Sequence, residues 1–424
     1  MPPDEHRLAR ILAINRTVGI VLLSVLFFGL GQQLWQPFVP LYLQAQTKEI
    51  ATEARETGII QPSTLWLVGL YACAFNLFEA FCSFSGSHLT ARLGDRGSLL
   101  FFGALTIVGY LLFLLVPNPA VAVLAALLIL GWEPLSVPVT FTTVGSTVDV
   151  SRQGMAFAVQ SIQKRLPKIL GPLIAGFVLY ALAERYDDKE VGTIMGMHWL
   201  VASALVLATG MLWVQWRWLP HRPPPPERIA WREIYRQIPP RIRRLLVAEI
   251  FTRWCDWLTK ELLPLYLVLL RGVSLREVGI LMALNHFTSL VTYLPIGRMT
   301  QTVGVQPFIG WSFIFFASFP LLLALAPNEW LALVFIVYGL REIGEPARKA
   351  LITSNLPQAT RAQCVGMYWG LRSLAVSWAP LAGVGLWLLG GPVVLLYAAL
   401  GFGIVGTAIY YGLCRENEAS IRDE

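Results

Sequence analysis

The sequence predicts an all-α polytopic membrane protein: twelve transmembrane helices in two pseudo-symmetric halves of six. Three observations carry this. Of the 424 residues, 55% are hydrophobic and only 14% charged, whereas soluble domains carry about 25% charged residues to coat their surface. Apolar runs long enough to cross a bilayer, about 18 residues or more, recur along the whole chain. Short motifs of the first half return in the same order in the second, as a duplicated chain requires.

Charge, Pro-Asn and Gly clusters bound the apolar runs, which places spans 1 to 12 at 17 to 43, 62 to 88, 98 to 116, 119 to 146, 155 to 182, 193 to 219, 246 to 270, 278 to 298, 307 to 326, 328 to 352, 364 to 389 and 392 to 413. Residues Met1 to Arg16 carry acids and no cleavable apolar core, so span 1 is read as permanent. Arginine and lysine then orient the spans. The terminal-side loops hold twenty, including Arg92, Arg96 and the eight arginines from Arg217 to Arg244, against six on the opposite side (Lys48, Arg55, Arg185, Lys189, Arg271, Arg276). The positive-inside rule puts both termini in the cytoplasm and the protein in an inner or plasma membrane. The net charge of +7 is thereby a topology signal and calls for no nucleic-acid partner. Five scattered cysteines without a Cys-x-x-Cys pair imply neither a zinc site nor a disulfide framework; no metal or cofactor is expected.

The organisation expected is a first half over 1 to 220, a linker over 221 to 245 and a second half over 246 to 424. In the linker, Pro223 to Pro226 form a polyproline spacer, and Ile229, Trp231, Ile234, Tyr235 and Ile238 among arginines read as a helix lying in the interface.

The repeat is visible residue by residue. Pro40-Leu41-Tyr42-Leu43 recurs as Pro264-Leu265-Tyr266-Leu267, Val68-Gly69 as Val278-Gly279, and Glu133-Pro134 as Glu345-Pro346; Gly94 matches Gly304, and Pro172 matches Pro380. A duplicated six-plus-six bundle with a midplane site between halves is an architecture for alternating access.

Together with the loop between spans 2 and 3, these features resemble the major facilitator superfamily over essentially the full chain. That family carries Gly-x-x-x-Asp-Arg-x-Gly-Arg-Arg there and a weaker copy between spans 8 and 9. Here the first loop offers Ser87, Ala91, Arg92, Gly94, Asp95 and Arg96, of which Arg92, Gly94 and Arg96 match; the second offers Gly297, Gln301, Thr302 and Gly304 and keeps its two glycines. Ala91 stands where the family has the acid that helps latch the cytoplasmic side. Gly171-Pro172-Leu173-Ile174-Ala175-Gly176 is similar to the Gly-Pro-x-x-Gly-Gly element of the family's drug/proton antiporters and points to export; the alternative is a bent, tightly packed helix.

Ionisable residues inside a membrane are costly and are functional candidates by default. In span 7, Arg253, Asp256 and Lys260 share one helical face, with Glu261 and Trp257 beside them. Asp256, Glu261 and Glu79 of span 2 are the proton-coupling candidates. Asp256 stands near the midplane, and the alternative for it is a permanent ion pair within its own helix. Under the repeat offset, Asp256 and Lys260 correspond to Gln32 and Gln36, amides that bind solutes without titrating. Gln32, Gln36, Arg253, Trp257, Lys260, His286 and Arg341 are the candidate cavity residues. Glu133 with Lys164, and Glu345 with Arg372, are expected as two pseudo-symmetric acid-base pairs with a gating or structural duty. Trp35, Trp132, Trp254 and Trp369 are further candidates to line an aromatic cavity.

Gly401-Phe402-Gly403-Ile404-Val405-Gly406 spells a dinucleotide fingerprint but lies inside an apolar span without the preceding strand, and reads as helix packing. No Walker lysine motif and no hydrolase motif appears, so no enzyme activity is expected. The resemblance implies a monomeric secondary active transporter of a small organic solute, with proton-coupled export as the leading reading. Uptake of an organic anion or sugar is the alternative within the class. A transporter-like receptor or lipid-handling protein is the alternative outside it.

Overall fold

A computed structural model describes residues 16–46, 60, 62–116, 118–135, 150–219, 231–357 and 360–414, which form helices joined by short turns. Pro223 to Pro226, Gly297 and the Asp95 side chain lie outside the described residues. Each expected span coincides with described helix over part or all of its length. Seven described segments are both long and apolar enough to cross a membrane, and one of these, Gln363–Cys414, contains 52 residues, enough for two spans. Span 4 is described only as Pro119–Leu135, and spans 7, 8 and 10 are not among the seven.

The helix boundaries follow from local chemistry. Spans 2 and 3 run together as Pro62–Leu115 and are divided by Gly94 at φ 69°, ψ 171°, a region essentially reserved for glycine. Its repeat partner Gly304 also has a positive φ, 85°, and separates spans 8 and 9. Span 4 opens on Asn118, whose side-chain oxygen accepts from the amides of Ala120 and Val121, followed by Pro119. Asp188 caps span 6 in the same way through the Glu190 amide. Span 5 is one helix, Val150–Arg185, that contains Pro167 and Pro172; each proline removes a backbone donor and bends the helix.

Spans 1, 7 and 10 are broken, and the breaks in 1 and 7 are repeat-related. Arg16–Gln33 gives way to a tight turn at Gln36–Phe38 before Val39–Gln46. Pro240–Thr259 gives way to Leu263–Leu265 and a wide turn at Tyr266–Leu270. Pro40 and Pro264 follow the two breaks. Span 10 tightens at Arg341–Ile343 between Leu331–Leu340 and Gly344–Ser354. Around this third break, backbone carbonyls gain side-chain donors, as the hydrocarbon interior demands: Ser289 Oγ donates to the Gly339 carbonyl at 3.0 Å and Ser312 Oγ to that of Arg341. Broken helices free backbone groups and bring polar side chains together inside a bundle.

Contacts group the described helices into two compact units. The first holds spans 1 and 3 to 6, the part of span 2 from Phe81 onward, and Ser274–Ala283 of span 8. The second holds span 2 up to Ala80, the short helix Trp231–Arg236, span 7, and the chain from Leu284 onward. The grouping divides span 2 after Ala80 and span 8 after Ala283. Close glycine contacts account for both. Within the first unit, a Cβ on Gly279 would stand 2.4 Å from the Pro172 carbonyl oxygen, and one on Gly176 would stand 2.8 Å from that of Leu275. Within the second, a Cβ on Gly69 would stand 2.7 Å from Val384. Close helix contact through small residues is how membrane helices gain packing energy.

The first unit has an aromatic core in which Tyr42 stacks on Phe113 at 4.9 Å and Trp35 meets Phe113 at 5.8 Å. Trp35 is therefore a packing residue, fully buried. In the second unit Phe319 stacks on Tyr338 at 3.7 Å. Trp66, Trp199, Trp213, Trp216, Trp311, Trp330 and Trp378 are exposed, as expected of side chains that face lipid and headgroups. The helix Trp231–Arg236 is tied to span 11 through hydrogen bonds from Thr360 Oγ1 to Gln237 Oε1 and from Cys364 Sγ to the Ile234 carbonyl.

Replacing Gly279 with Leu drives a side chain into the Pro172 backbone and is expected to sharply reduce the yield of monodisperse protein. Gly385→Leu on span 11, where a Cβ meets nothing within 4 Å, is expected to behave as wild type. Size-exclusion chromatography of both variants in the same detergent checks this, and equal profiles would contradict the contact.

Candidate coupling and transport site

The second unit concentrates its buried charge between spans 7, 10 and 11. Glu249, Arg253 and Asp256 lie on one face of Pro240–Thr259 because they are spaced by four and three residues. Glu249 has no solvent exposure at all. Its Oε1 accepts from Arg372 Nη1 at 2.7 Å and lies 3.4 Å from Arg348 Nε and 3.7 Å from Arg253 Nε. Its Oε2 accepts from the Tyr368 hydroxyl at 2.5 Å. One carboxylate thus draws cations from spans 7, 10 and 11 to a point. Glu345 balances the excess: it pairs with Arg348, lies 3.7 Å from Arg253 Nη2 and takes Lys349 Nζ at 3.1 Å.

Asp256 makes a second centre. The Tyr338 hydroxyl donates to its Oδ1 at 2.6 Å, and Arg341 Nε lies 3.9 Å from the same oxygen. Arg341 in turn lies over the Tyr338 ring at 3.5 Å, lies 3.6 Å from Glu342 and donates to the Tyr338 carbonyl at 3.1 Å, with Asn285 Oδ1 at 3.5 Å. A guanidinium stacked on a ring and held by a carboxylate is the geometry in which arginine tolerates burial. Phe316 bridges the two centres, with Arg253 at 5.0 Å and Arg341 at 5.5 Å from its ring. Burying this much charge is costly, and pairing with hydrogen bonding offsets the cost.

The structure redistributes two expected pairings. The ion pair expected between Glu345 and Arg372 gives way to Arg372 with Glu249, because the fully buried Glu249 is the acid that Arg372 reaches. The alternative of an ion pair for Asp256 within its own helix also gives way: its partners Tyr338 and Arg341 come from span 10, while Arg253 turns to Glu249 and Glu345. Lys260 caps the Trp257 ring at 3.8 Å and lies 3.9 Å from Glu261. Trp254 Nε1 donates to the Ala375 carbonyl at 3.0 Å, so its indole is anchored to span 11. His286 is half-buried beside Asn285, and Glu79 half-buried one turn beyond Asn76. Glu249, Tyr338 and Tyr368 were not among the expected site residues. Glu249 was discoverable, since it lies one turn before Arg253 on the same face; the tyrosines carry no such signal.

In the first unit, Lys164 Nζ lies 3.9 Å from Glu133 Oε1. Both line a pocket together with Gln32. Gln36 Oε1 accepts from Gln32 Nε2 at 2.9 Å and Gln33 Nε2 at 3.1 Å. In the loop motif, Arg96 donates to the Trp216 carbonyl at 2.6 Å, one of the orphan acceptors at the end of span 6, while Arg92 is exposed.

A family profile described as Major Facilitator Superfamily matches residues 21–270, more than half of the chain. The chain belongs to the major facilitator superfamily. It is accordingly a multi-pass membrane protein and a secondary transporter, not an enzyme. No curated protein sequence matches it significantly. Among solved structures, it is similar to the human organic anion transporter MFSD10 (TETRAN) at 17% identity, with 96% of this chain and 100% of that one covered and a TM-score of 0.69. A POT family transporter in complex with a thioalcohol conjugated peptide gives 13% identity, 93% and 95% coverage and a TM-score of 0.73. A D-xylose-proton symporter gives 13%, 95% and 98%, and 0.70. At such identities the likeness is one of fold.

Removing the Glu249 charge leaves three arginines crowded without their common acid. Breaking a buried ion pair in this way costs about 3 to 5 kcal/mol, so Glu249→Gln is expected to lower the unfolding temperature by several degrees. Lys349→Gln, at an exposed position, is expected to change it little. Thermal unfolding in one detergent measures both.

Proposed function

We propose that this major facilitator protein couples proton movement to the transport of a small organic solute, with Asp256 as the proton-carrying group. The observation that supports the reading is the Asp256 arrangement itself. A buried carboxylate at a helix break is held across from span 10 by one neutral donor, Tyr338, and one cation, Arg341. Protonating Asp256 removes one of the two charges that balance Arg341 and turns an acceptor into a donor, so the two protonation states favour different packings of spans 7 and 10. Glu249 does not serve this role in the proposal: its carboxylate is already engaged by Arg372, Arg348 and Arg253. Glu261 and Glu79 remain secondary carriers. The solved relatives include a D-xylose-proton symporter, which is consistent with proton coupling on this fold.

Export by antiport is the direction proposed, on the Gly171 to Gly176 element of span 5, with both termini cytoplasmic and the chain acting as a monomer. Uptake of an anion drawn by Lys260, Arg341 and Arg372 is the weaker reading, because Arg341 and Arg372 are already engaged by Asp256 and Glu249.

In proteoliposomes with an internal pH dye, a solute from a panel of amphipathic cations, sugars and organic anions is expected to trigger proton flux in the wild type. Asp256→Asn is expected to lose that flux while still exchanging the solute without a gradient. Persistence of full proton flux in Asp256→Asn refutes the assignment, and absence of flux with every solute, in folded wild-type protein, refutes proton coupling.

A further inference from the structure

The short helix Trp231–Arg236 turns its isoleucine side to the protein and its basic side outward. Ile234 and Ile238, one turn apart, are 3% and 1% exposed, and the Ile234 carbonyl accepts from Cys364 Sγ of span 11 at 3.8 Å. Arg232 and Arg236 share the opposite face, since residues four apart align and the isoleucines fall half a turn away. Both arginines are exposed.

Two arginines at the start of span 7 continue this basic surface, each fixed by one donor. Arg243 Nε donates to the Ile238 carbonyl at 2.8 Å, and its guanidinium lies over the Tyr235 ring, 5.3 Å from the centroid. Arg244 Nη1 donates to the Leu413 carbonyl at 3.0 Å, at the end of span 12. Neither makes a further hydrogen bond among the described residues, and none of the four arginines is paired there with a carboxylate. Glu233, the acid of the short helix, is itself exposed. An arginine anchored through Nε presents its two Nη groups as a fixed fork, the donor geometry that suits a phosphate.

Apolar surface begins within one turn of this fork. Val247 follows Arg243 at the four-residue spacing that keeps both on one face, and Val247 is 46% exposed and Leu413 57%. Arginine above, exposed aliphatic side chains below, is the order in which a phospholipid sets its phosphate above its acyl chains.

We infer that this junction of the short helix, span 7 and span 12 binds an anionic phospholipid of the adjoining leaflet, its phosphate taken by the Nη groups of Arg243 and its acyl chain laid over Val247 and Leu413. Arg244, Arg232 and Arg236 supply the surrounding positive field. Charge complementarity selects this occupant, because each arginine at the membrane surface raises affinity for anionic lipid about fivefold. A free phosphate ester would meet the arginines and gain nothing from the apolar surface. The bound lipid braces the start of the helix that carries Glu249 and Asp256 against span 12.

Native mass spectrometry of the full chain in neutral detergent, titrated with phosphatidylglycerol or with phosphatidylcholine of the same acyl chains, tests this. Wild type is expected to retain one phosphatidylglycerol in clear preference to phosphatidylcholine. Arg243→Gln is expected to weaken that retention at least about tenfold, the scale of one lost charge-assisted contact. The exposed pair Arg232→Gln/Arg236→Gln, which breaks no bond within the protein, is expected to weaken it at least about fivefold, and it serves as the test should Arg243→Gln fail to fold. Arg217→Gln, an exposed arginine at the end of span 6, is expected to change nothing, and thermal unfolding shows which variants are folded. Equal retention of the two lipids overturns the inference. So does retention that is unaltered in the folded variants, that falls equally in Arg217→Gln, or that is abolished by millimolar glycerol phosphate, which would make the site one for a free phosphate ester.

Discussion

The second half of the protein is organised around one carboxylate with no access to solvent. Glu249 gathers Arg253 from its own helix, Arg348 from span 10 and Arg372 from span 11, with Tyr368 completing its shell. A buried charge held this way forces its surroundings to be charged as well, since three arginines around one acid need further acids. Glu345 supplies one on this side, and Asp256 and Glu342 balance Arg341 next to it. The chain of compensation runs from Glu249 to Asp256 through Arg253 and Phe316, and it gives spans 7, 10 and 11 a specific register. Hydrophobic contact alone cannot impose such a register in lipid, where every face of a helix is equally well solvated.

The two halves share a plan and differ in their buried charge. The breaks in spans 1 and 7 fall at corresponding places, and the same two helix hairpins contribute an acid and a base in each half. Span 7 fills its interior with titratable and cationic groups, whereas span 1 has Val25, Gly29 and Gln32 at the corresponding positions. Under the proposed function, the second half carries the proton through Asp256. Alternating access requires only that proton and solute prefer different states of one equilibrium, which such an arrangement permits without direct contact between them.

Much of the fold was legible because membrane spans are written in composition. The twelve apolar runs, the repeat and the glycines at 94 and 304 are each local signals, and each coincides with a described helix or a positive φ. The candidate site was legible by residue type and less so by partnership. That Glu133 meets Lys164 follows from their equal distance from a short loop, whereas Glu345 and Arg372 share that spacing and do not pair. The difference is Glu249, which has Val25 at the repeat-related position. Pairing across helices depends on which buried charge claims which, and spacing along one helix carries no such information. Tyr338 and Tyr368 were illegible for the same reason: as residues of apolar spans they look like packing, and only the fold aims their hydroxyls at Asp256 and Glu249.

At the centre of the proposed mechanism, two buried acids seven residues apart on one helix differ in kind: Glu249 is a fixed anion and Asp256 exchanges its proton. Infrared difference spectroscopy on the protein in lipid, between neutral and acidic pH, addresses this directly. The expected result is a protonated-carboxyl band that survives in folded Glu249→Gln, disappears in Asp256→Asn and shifts in Tyr338→Phe, where the carboxyl loses its neutral donor. A band that persists in Asp256→Asn and vanishes in Glu249→Gln would contradict it.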